Sequence, residues 1–474
     1  MSTPTIERLT KAFERHGLQI SNLNNIYTIQ SKDDNNYPCA EILLPTKFTL
    51  DKKAVLQLMA FAKAKHPQTG TVESVIVTPD FHAGSIVPVG AVVATRNMLI
   101  PQAIGTDIHC GMRMHLIEIN YDQFMMVKKK LIHKLKGDLL LGTRDLPMRI
   151  SGFQELFRNG LLGWIEEMSL NPIGQFKLFD FKQVLTEIEK VYHLGSENGS
   201  EIWAPSSLTD SQREIIRDGF LGTIGGGNHF VEIQIIQEIL DKKKAFEWGL
   251  KKGQLAVMIH SGSRLTGVHV GSVWIDKAKK LWPNNLKHPI TNIYPLIEQE
   301  AKKYYEAMCT AANYANLNRL LIAELVRNRL RETFNSNIEM PLLYDSPHNM
   351  ITQEGELYIH RKGATPAYQN QPVLIPGSMG QASYLMCGMG NIRYLQSASH
   401  GAGRALTRHQ MYYKHKNGYD IGLSCVECIT LKEERIIEEA PYAYKPIEPV
   451  IDVQIDAGIV SSVAKMRPIL TFKG

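Results

Sequence analysis

The sequence predicts an α+β protein built from mixed β-sheets and helices, and three observations carry that prediction. Apolar, β-branched runs at 75–78, 86–95 and 114–119 are punctuated by Gly and Pro, the pattern of buried strands joined by turns. Helical spacing marks two other stretches: Ile6, Leu9 and Phe13, stopped by Gly17, and a long segment from Tyr294 to Phe334 with Arg319, Arg327, Arg329 and Arg331. No repeat, low-complexity tract or clear linker divides the 474 residues, although a prior of roughly 150 residues per domain would allow about three units.

Taken in order, the opening helix leads into polar, irregular sequence (SNLNNI, SKDDNNYP), and then into the three strand-like runs. A basic helical stretch follows, FMMVKKKLIHKLKG, whose Lys128, Lys129, Lys130, Lys134 and Lys136 read as a solvated face rather than a nucleic-acid surface. A mixed segment runs to Asp218, a glycine cluster occupies 222–227, and QLAVMIH reads as another strand. Composition is that of an ordinary globular protein, with 44% apolar and 21% charged residues and a net charge of +6 that permits a polyanionic partner without requiring one. There is no run of about 18 uncharged apolar residues, and MSTPTIERLTKAFERHG is amphipathic rather than signal-like, so neither export nor membrane spanning is expected. Six scattered cysteines (Cys39, Cys110, Cys309, Cys387, Cys425, Cys428) are too few for a disulfide framework, which suits a reducing cytoplasm.

Five constellations could carry chemistry. In Gly105-Thr106-Asp107-Ile108-His109-Cys110-Gly111 a hard carboxylate and a soft thiolate stand three residues apart in a tight turn, able to share a metal centre, and a thiolate can bridge two ions. The alternative is a buried Cys beside a turn-capping Asp. Gly225-Gly226-Gly227 lets backbone N–H groups approach an anion, and Asn228, His229 and Glu232 follow at once. His260-Ser261-Gly262-Ser263-Arg264 ends a strand-like run, where the His reads either as a metal ligand beside Ser and Arg phosphate donors or, as is commoner at a strand end, as a structural residue. His348-Asn349 sits in what reads as a turn, Asp345 to Asn349. The richest is Pro376-Gly377-Ser378-Met379-Gly380 and Ser383-Tyr384, followed by Ser397-Ala398-Ser399-His400-Gly401-Ala402-Gly403-Arg404, where small neighbours leave an imidazole accessible. Cys425-Val-Glu-Cys428 lacks the second ligand pair that a structural zinc needs. The P-loop pattern is absent, as is the Lys-x-Asp-Gly motif of lysine-adenylylating ligases. Any covalent nucleotide would need another nucleophile.

Together with the ending EEAPYAYK and AGIVSSVAKMRPILTFKG, these motifs, in this order from about residue 74 onward, resemble the RtcB family of RNA ligases. The resemblance implies a single large catalytic unit, residues 71–474, around a central dinuclear metal cleft, with residues 1–70 packed on or preceding it. It implies a GTP- and Mn²⁺-dependent ligase joining RNA 3′-phosphate or 2′,3′-cyclic phosphate ends to 5′-hydroxyl ends, in tRNA splicing or RNA repair, with an archease-type activator as a possible partner. By the same carry-over His400 is the guanylylated nucleophile. Cys110 bridges two Mn²⁺ ions, one completed by His260 and His348 and the other by Asp107 and His229. Asn228, Glu232, Asn349, Ser383, Gly401, Gly403, Arg404, Tyr444 and Lys473 hold the nucleotide, with Glu232 and Lys473 reading guanine edges. Residue types alone leave the metal open, since Zn²⁺ and Co²⁺ bind such sites more tightly than Mn²⁺. The chain departs from the family pattern at Ser85-Ile86, Leu265 and Pro347, which favours a divergent branch acting on damaged RNA. A rival reading is a dinuclear phosphodiesterase in which His400 serves only as acid or base. A third, a non-catalytic RNA-binding relic, conflicts with the intact ligand set.

Overall fold

Strands Thr71–His82 and Val89–Arg96 are buried without interruption from 75 to 81 and from 90 to 95, so both of their faces are covered. A computed structural model, which describes residues 6–32, 37–209, 212, 214–423 and 426–474, places them in the middle of a seven-stranded sheet. Its order is Leu18–Leu23, Ile26–Ser31, Ala40–Leu43, Thr71–His82, Val89–Arg96, Leu357–Lys362, Asn349–Glu354. The period of two sorts the side chains. Val75, Val77, Ala91 and Val93 pack with Leu58 and Phe61 of helix Lys52–Ala62, while Ile76, Val92 and Ala94 pack with Val450 and Ile451 of helix Ile447–Asp456.

An eight-stranded sheet forms the second layer. Its path is Leu342–Pro347, Gly111–Ile117, Leu255–Ser261, Phe230–Ile239, Val460–Phe472, Ser383–Gly388, Pro372–Ile375, with Cys428–Ile429 parallel beside Val460–Phe472. One face, with Val231, Ile233, Val257 and Ile259, is covered by helix Tyr121–Lys136 and by the 37-residue helix Glu298–Phe334. Among the described residues no helix is long and apolar enough to cross a membrane.

Several boundaries differ from the sequence expectation, each for a physical reason. The stretch SNLNNI is not irregular: Asn24 and Asn25 take positive φ (51° and 65°) and close a two-residue hairpin between Leu18–Leu23 and Ile26–Ser31. The run at 86–95 becomes a strand only at Val89, past Pro88, and the run at 114–119 is already a strand from Gly111. The segment Asp345–Asn349 is not a turn. A single residue, His348, separates strand Leu342–Pro347 of one sheet from Asn349–Glu354 of the other. Pro347 is tolerated as a strand's last residue, opposite Gly111.

The long helix braces the centre with buried charge. Arg319, fully buried, donates from Nε to Asp345 Oδ1 (2.8 Å) and from Nη1 to the carbonyls of His109 (2.8 Å) and Ser261 (3.3 Å). Asp345 also pairs with Arg113 at 3.1 Å. Replacing Arg319 by Met is therefore expected to lower unfolding stability by about 3–5 kcal/mol, because a buried carboxylate and two carbonyls lose their donor. Chemical denaturation reads the change, and a loss under about 1 kcal/mol would contradict the bracing role.

Candidate active site and metal centre

Five side chains of metal-binding type meet because the second sheet ends its strands together. Cys110 immediately precedes Gly111–Ile117, His229 precedes Phe230–Ile239, His260 is the next-to-last residue of Leu255–Ser261, and His348 links the two sheets. The registers Phe230↔His260, His260↔Met112 and Gly111↔Pro347 keep these ends level. Backbone bonds from His348 N to Cys110 O and from His109 N to Asn349 O, both 2.7 Å, tie the loops across the gap.

The ligand atoms form two groups, each within 4.8 Å: Cys110, His260 and His348, and Asp107, Cys110 and His229. Cys110 Sγ lies 3.1 Å from His229 Nε2 and 3.2 Å from His260 Nε2. His229 Nε2 is 3.0 Å from Asp107 Oδ2, and His260 Nε2 faces His348 Nε2 at 3.1 Å. Because His260 Nδ1 points at the Asn228 carbonyl (3.2 Å), the ring proton belongs there, leaving Nε2 as a lone pair. Burial pushes His260 and His348 well below the ordinary imidazole range, which keeps them in the neutral, ligating form. Burial alone would raise the Asp107 pKa, but pairing with His229 and Cys110 and the charge of Lys362 hold it well below the usual carboxylate range. The Cys110 thiol is pushed up by burial and by Asp107. Buried lone pairs gathered this closely, with too few protons to share, suit a divalent ion, which would also draw off the thiol proton. Among the described residues the Nδ1 atoms of His229 and His348 have no hydrogen-bond partner, so no contact there ties these rings to another role.

His400 stands beside this cluster, its ring centre 4.5 Å from His348 and 6.4 Å from His260. Its Nδ1 lies 2.6 Å from Asp80 Oδ2 and 2.7 Å from Gly363 O. Both neighbours are acceptors, so Nδ1 carries the proton and Nε2 presents a free lone pair. Asp80 is fully buried; burial raises its pKa, yet the hydrogen bond and charge of His400 and the Thr78 hydroxyl (2.6 Å) lower it further. Lys445 fixes the strand end around it through Pro79 O (3.1 Å) and Phe81 O (2.6 Å). Gly403 has φ 74°, and a Cβ there would fall 2.1 Å from Asp80 O, so only glycine lets the His400 loop close on this strand. Neither Asp80 nor Lys445 is assigned a role from the sequence. The signal available was a carboxylate amid apolar strand residues in TPDFH, where an unpartnered charge would be prohibitive.

A cavity of about 280 Å³ runs from the cluster to the C-terminus of the chain. Asn228, Glu232, Asn349, Gly401, Gly403, Arg404, Tyr444 and Lys473 line it, together with His400, Cys110, Asp107 and Ser378 and, unanticipated from the sequence, Lys362, Arg408, Glu439 and Thr471. At its far end Glu232 accepts from Gln234 Nε2 (2.7 Å) and Thr471 Oγ1 (2.9 Å). Burial raises the Glu232 pKa and lowers that of Lys473, each opposed by the other's charge. Ser383 does not line the cavity. It is buried behind Glu232, accepting from Gln234 Nε2 at 3.0 Å. Asn349 spends its amide internally, on Asp107 O (3.1 Å) and Gly363 N (2.8 Å). Arg404 is held by Glu439 (2.9 Å) and Glu438 O (2.8 Å), and Glu439 also accepts from the Tyr444 hydroxyl. A second cleft, lined by Phe220, Gly226, Arg264, the exposed Leu265 and Val268, reaches Asp107, Asn228 and His229 from outside. Ser85 and Ile86 lie apart from both, in the groove beside helix Lys52–Ala62. In the Cys425/Cys428 pair, Cys425 falls outside the described residues, and Cys428 is half-buried.

A family model described as tRNA-splicing ligase RtcB matches residues 57–474. The chain is 32% identical over 447 residues to the tRNA-splicing ligase RtcB of Pyrobaculum aerophilum, covering 84% of this chain and 87% of that one. It is 30% identical over 480 residues to the tRNA-splicing ligase RtcB of Archaeoglobus fulgidus, with 91% and 95% coverage. The RNA-splicing ligase RtcB of Mycobacterium bovis is 30% identical over 438 residues, with 85% and 98% coverage. With the match spanning the metal-ligand cluster, His400 and the penultimate lysine alike, this chain belongs to the RtcB family.

Proposed function

We propose that the protein is an RNA ligase that uses GTP and two Mn²⁺ ions to join an RNA 3′-phosphate, or a 2′,3′-cyclic phosphate opened by hydrolysis, to a 5′-hydroxyl. The observation that carries this reading is the His400 imidazole, its Nδ1 proton held by Asp80 and Gly363 and its Nε2 lone pair free, next to five metal-type donors. His400 Nε2 attacks the α-phosphorus of GTP; the new N–P bond forms as the bond to the bridging oxygen breaks, and pyrophosphate leaves. The proton stays on Nδ1, hydrogen-bonded to the Asp80 carboxylate, whose charge stabilises the positive charge that grows on the ring. The RNA 3′-phosphate then takes the guanylate from His400. Attack of the 5′-hydroxyl on that activated phosphate expels GMP and makes the phosphodiester. Cys110 with Asp107, His229, His260 and His348 would hold the metals, which would supply Lewis acidity to neutralise phosphate charge. Glu232 and Lys473 provide an acceptor and a donor for the edge of a guanine.

The test incubates the protein with α-labelled GTP and Mn²⁺, then follows label on the denatured chain and its stability to alkali, beside ligation of RNAs with defined ends. Alkali-stable label and joined product are expected. Opening of cyclic phosphate with no label on the protein would replace this reading with the phosphodiesterase. Glu232→Gln is expected to weaken GTP use by about tenfold to a hundredfold, the scale of one hydrogen bond to a charged group. Labelling rates at graded GTP check it, and an unchanged GTP dependence would remove Glu232 from base recognition.

A further inference from the structure

Among the described residues five tyrosines expose at least 36% of their surface: Tyr121, Tyr412, Tyr413, Tyr419 and Tyr442. Four of the five gather around one helix and turn whose first residue, Arg408, lines the cavity. Tyr412 and Tyr413 stand on helix Arg408–Lys416, Tyr419 lies just beyond it, and Tyr442 is tied to the same turn by its N–H to Ile421 O (3.3 Å). Tyr413 and Tyr419 are the most open, at 63% and 59%. From Ala405 to Tyr419 there is no carboxylate, while Arg408, Lys414 and Lys416 are cationic and His409 and His415 are interleaved. Lys414 Nζ sits 5.4 Å from the centre of the Tyr419 ring. Of the neighbouring carboxylates, Glu438 and Glu439 are already held by Arg404, Arg408 and Arg435, while Asp420 directly follows Tyr419 and accepts from Gly422 N (2.8 Å).

A merely solvated helix face does not need this composition. Exposed aromatic rings gain nothing from water, and Lys414 and Lys416 have no carboxylate on their own helix to pair with, so the surface is suited to a partner bearing flat rings and regular negative charge. Single-stranded nucleic acid has both. The helix is also continuous with the site, because its first residue, Arg408, lines the cavity that holds His400. Its length of about 12 Å spans about three stacked bases.

We propose that helix Arg408–Lys416 and the turn through Tyr419 form a track for single-stranded RNA leading to the cavity, with Tyr413 and Tyr419 stacking on bases and Lys414 and Lys416 neutralising phosphates. The proposal rests on the RNA-ligase reading and adds where the strand behind the reacting end lies.

The full chain is tested for binding to a short fluorescent single-stranded RNA with a 3′-phosphate, and separately for uptake of label from GTP with no RNA present. Tyr413→Ala and Tyr419→Ala are each expected to weaken RNA binding about fivefold or more, and the double variant more than tenfold, with label uptake unchanged. Tyr413→Trp is expected to retain affinity, since any flat ring serves. Replacing Lys414 and Lys416 by Ala should reduce the slope of log affinity against log salt by about 1.4. Wild-type affinity in the Tyr413/Tyr419 double variant overturns the track. If instead the wild-type protein takes up no label while the double variant loses RNA binding, the ligase reading fails and the track stands.

Discussion

His400→Ala is expected to abolish guanylate uptake, with labelling reduced on the order of 10⁴-fold or more, while the metal content of the protein stays unchanged. The two readouts separate because His400 belongs to neither group of clustered donor atoms, although its ring lies 4.5 Å from that of His348. Asp80→Asn provides the graded counterpart. Asp80 carries a buried carboxylate whose only ring partner is His400 Nδ1, and an amide there keeps the shape but removes the charge that stabilises an imidazolium. Labelling is expected to fall by about 10²- to 10⁴-fold with little change in GTP concentration dependence, the signature of an interaction that strengthens as charge develops. Retained label in His400→Ala would end the nucleophile assignment. A Asp80→Asn variant at full speed would reduce Asp80 to a packing role.

Cys110, His229, His260 and His348 stood out in the sequence one by one, each equally readable as a structural residue. Only the family resemblance joined them into one set, whose donor atoms the structure brings within 4.8 Å in two groups with Asp107. Asp80 lies two residues past the apolar run 75–78, and its partner is 320 residues away, so only closure of the two loops reveals the pair. Ser383 and Asn349 show the reverse limit: polar residues near the site, yet with their groups engaged within the protein. The helix from Tyr294 was readable from its period, but the period did not tell which of its arginines face inward. Arg319 and Arg327 are in fact fully buried, paired with Asp345, Glu187 and Glu324, carboxylates that the sequence gives no means of matching to them. The hairpin of residues 18–31 was missed although its signal is local: Asn-Asn, which tolerates positive φ, between two alternating segments.

Cys110→Ala is expected to empty both metal sites at once, where His229→Ala or His348→Ala should disturb mainly one. Sγ is the only atom common to the two groups of donors. Without it each ion retains a pair of protein ligands, Asp107 with His229 or His260 with His348, and two donors hold a labile divalent ion poorly. Loss of a mere outer-shell partner costs 10- to 100-fold in metal affinity, so loss of a shared inner ligand is expected to exceed about a hundredfold for both ions. The measurement is metal per chain after dialysis against Mn²⁺ or Zn²⁺, which needs no activity. The wild type should approach two ions, His229→Ala about one, and Cys110→Ala none. Unfolding of the metal-free proteins supplies the control. Cys110→Ala removes a buried thiol from a site already crowded with unshared lone pairs, so its apo stability should match the wild type within about 1 kcal/mol. Two ions bound to Cys110→Ala would mean that the thiol is only a small core side chain, and that the two groups of ligands are not bridged.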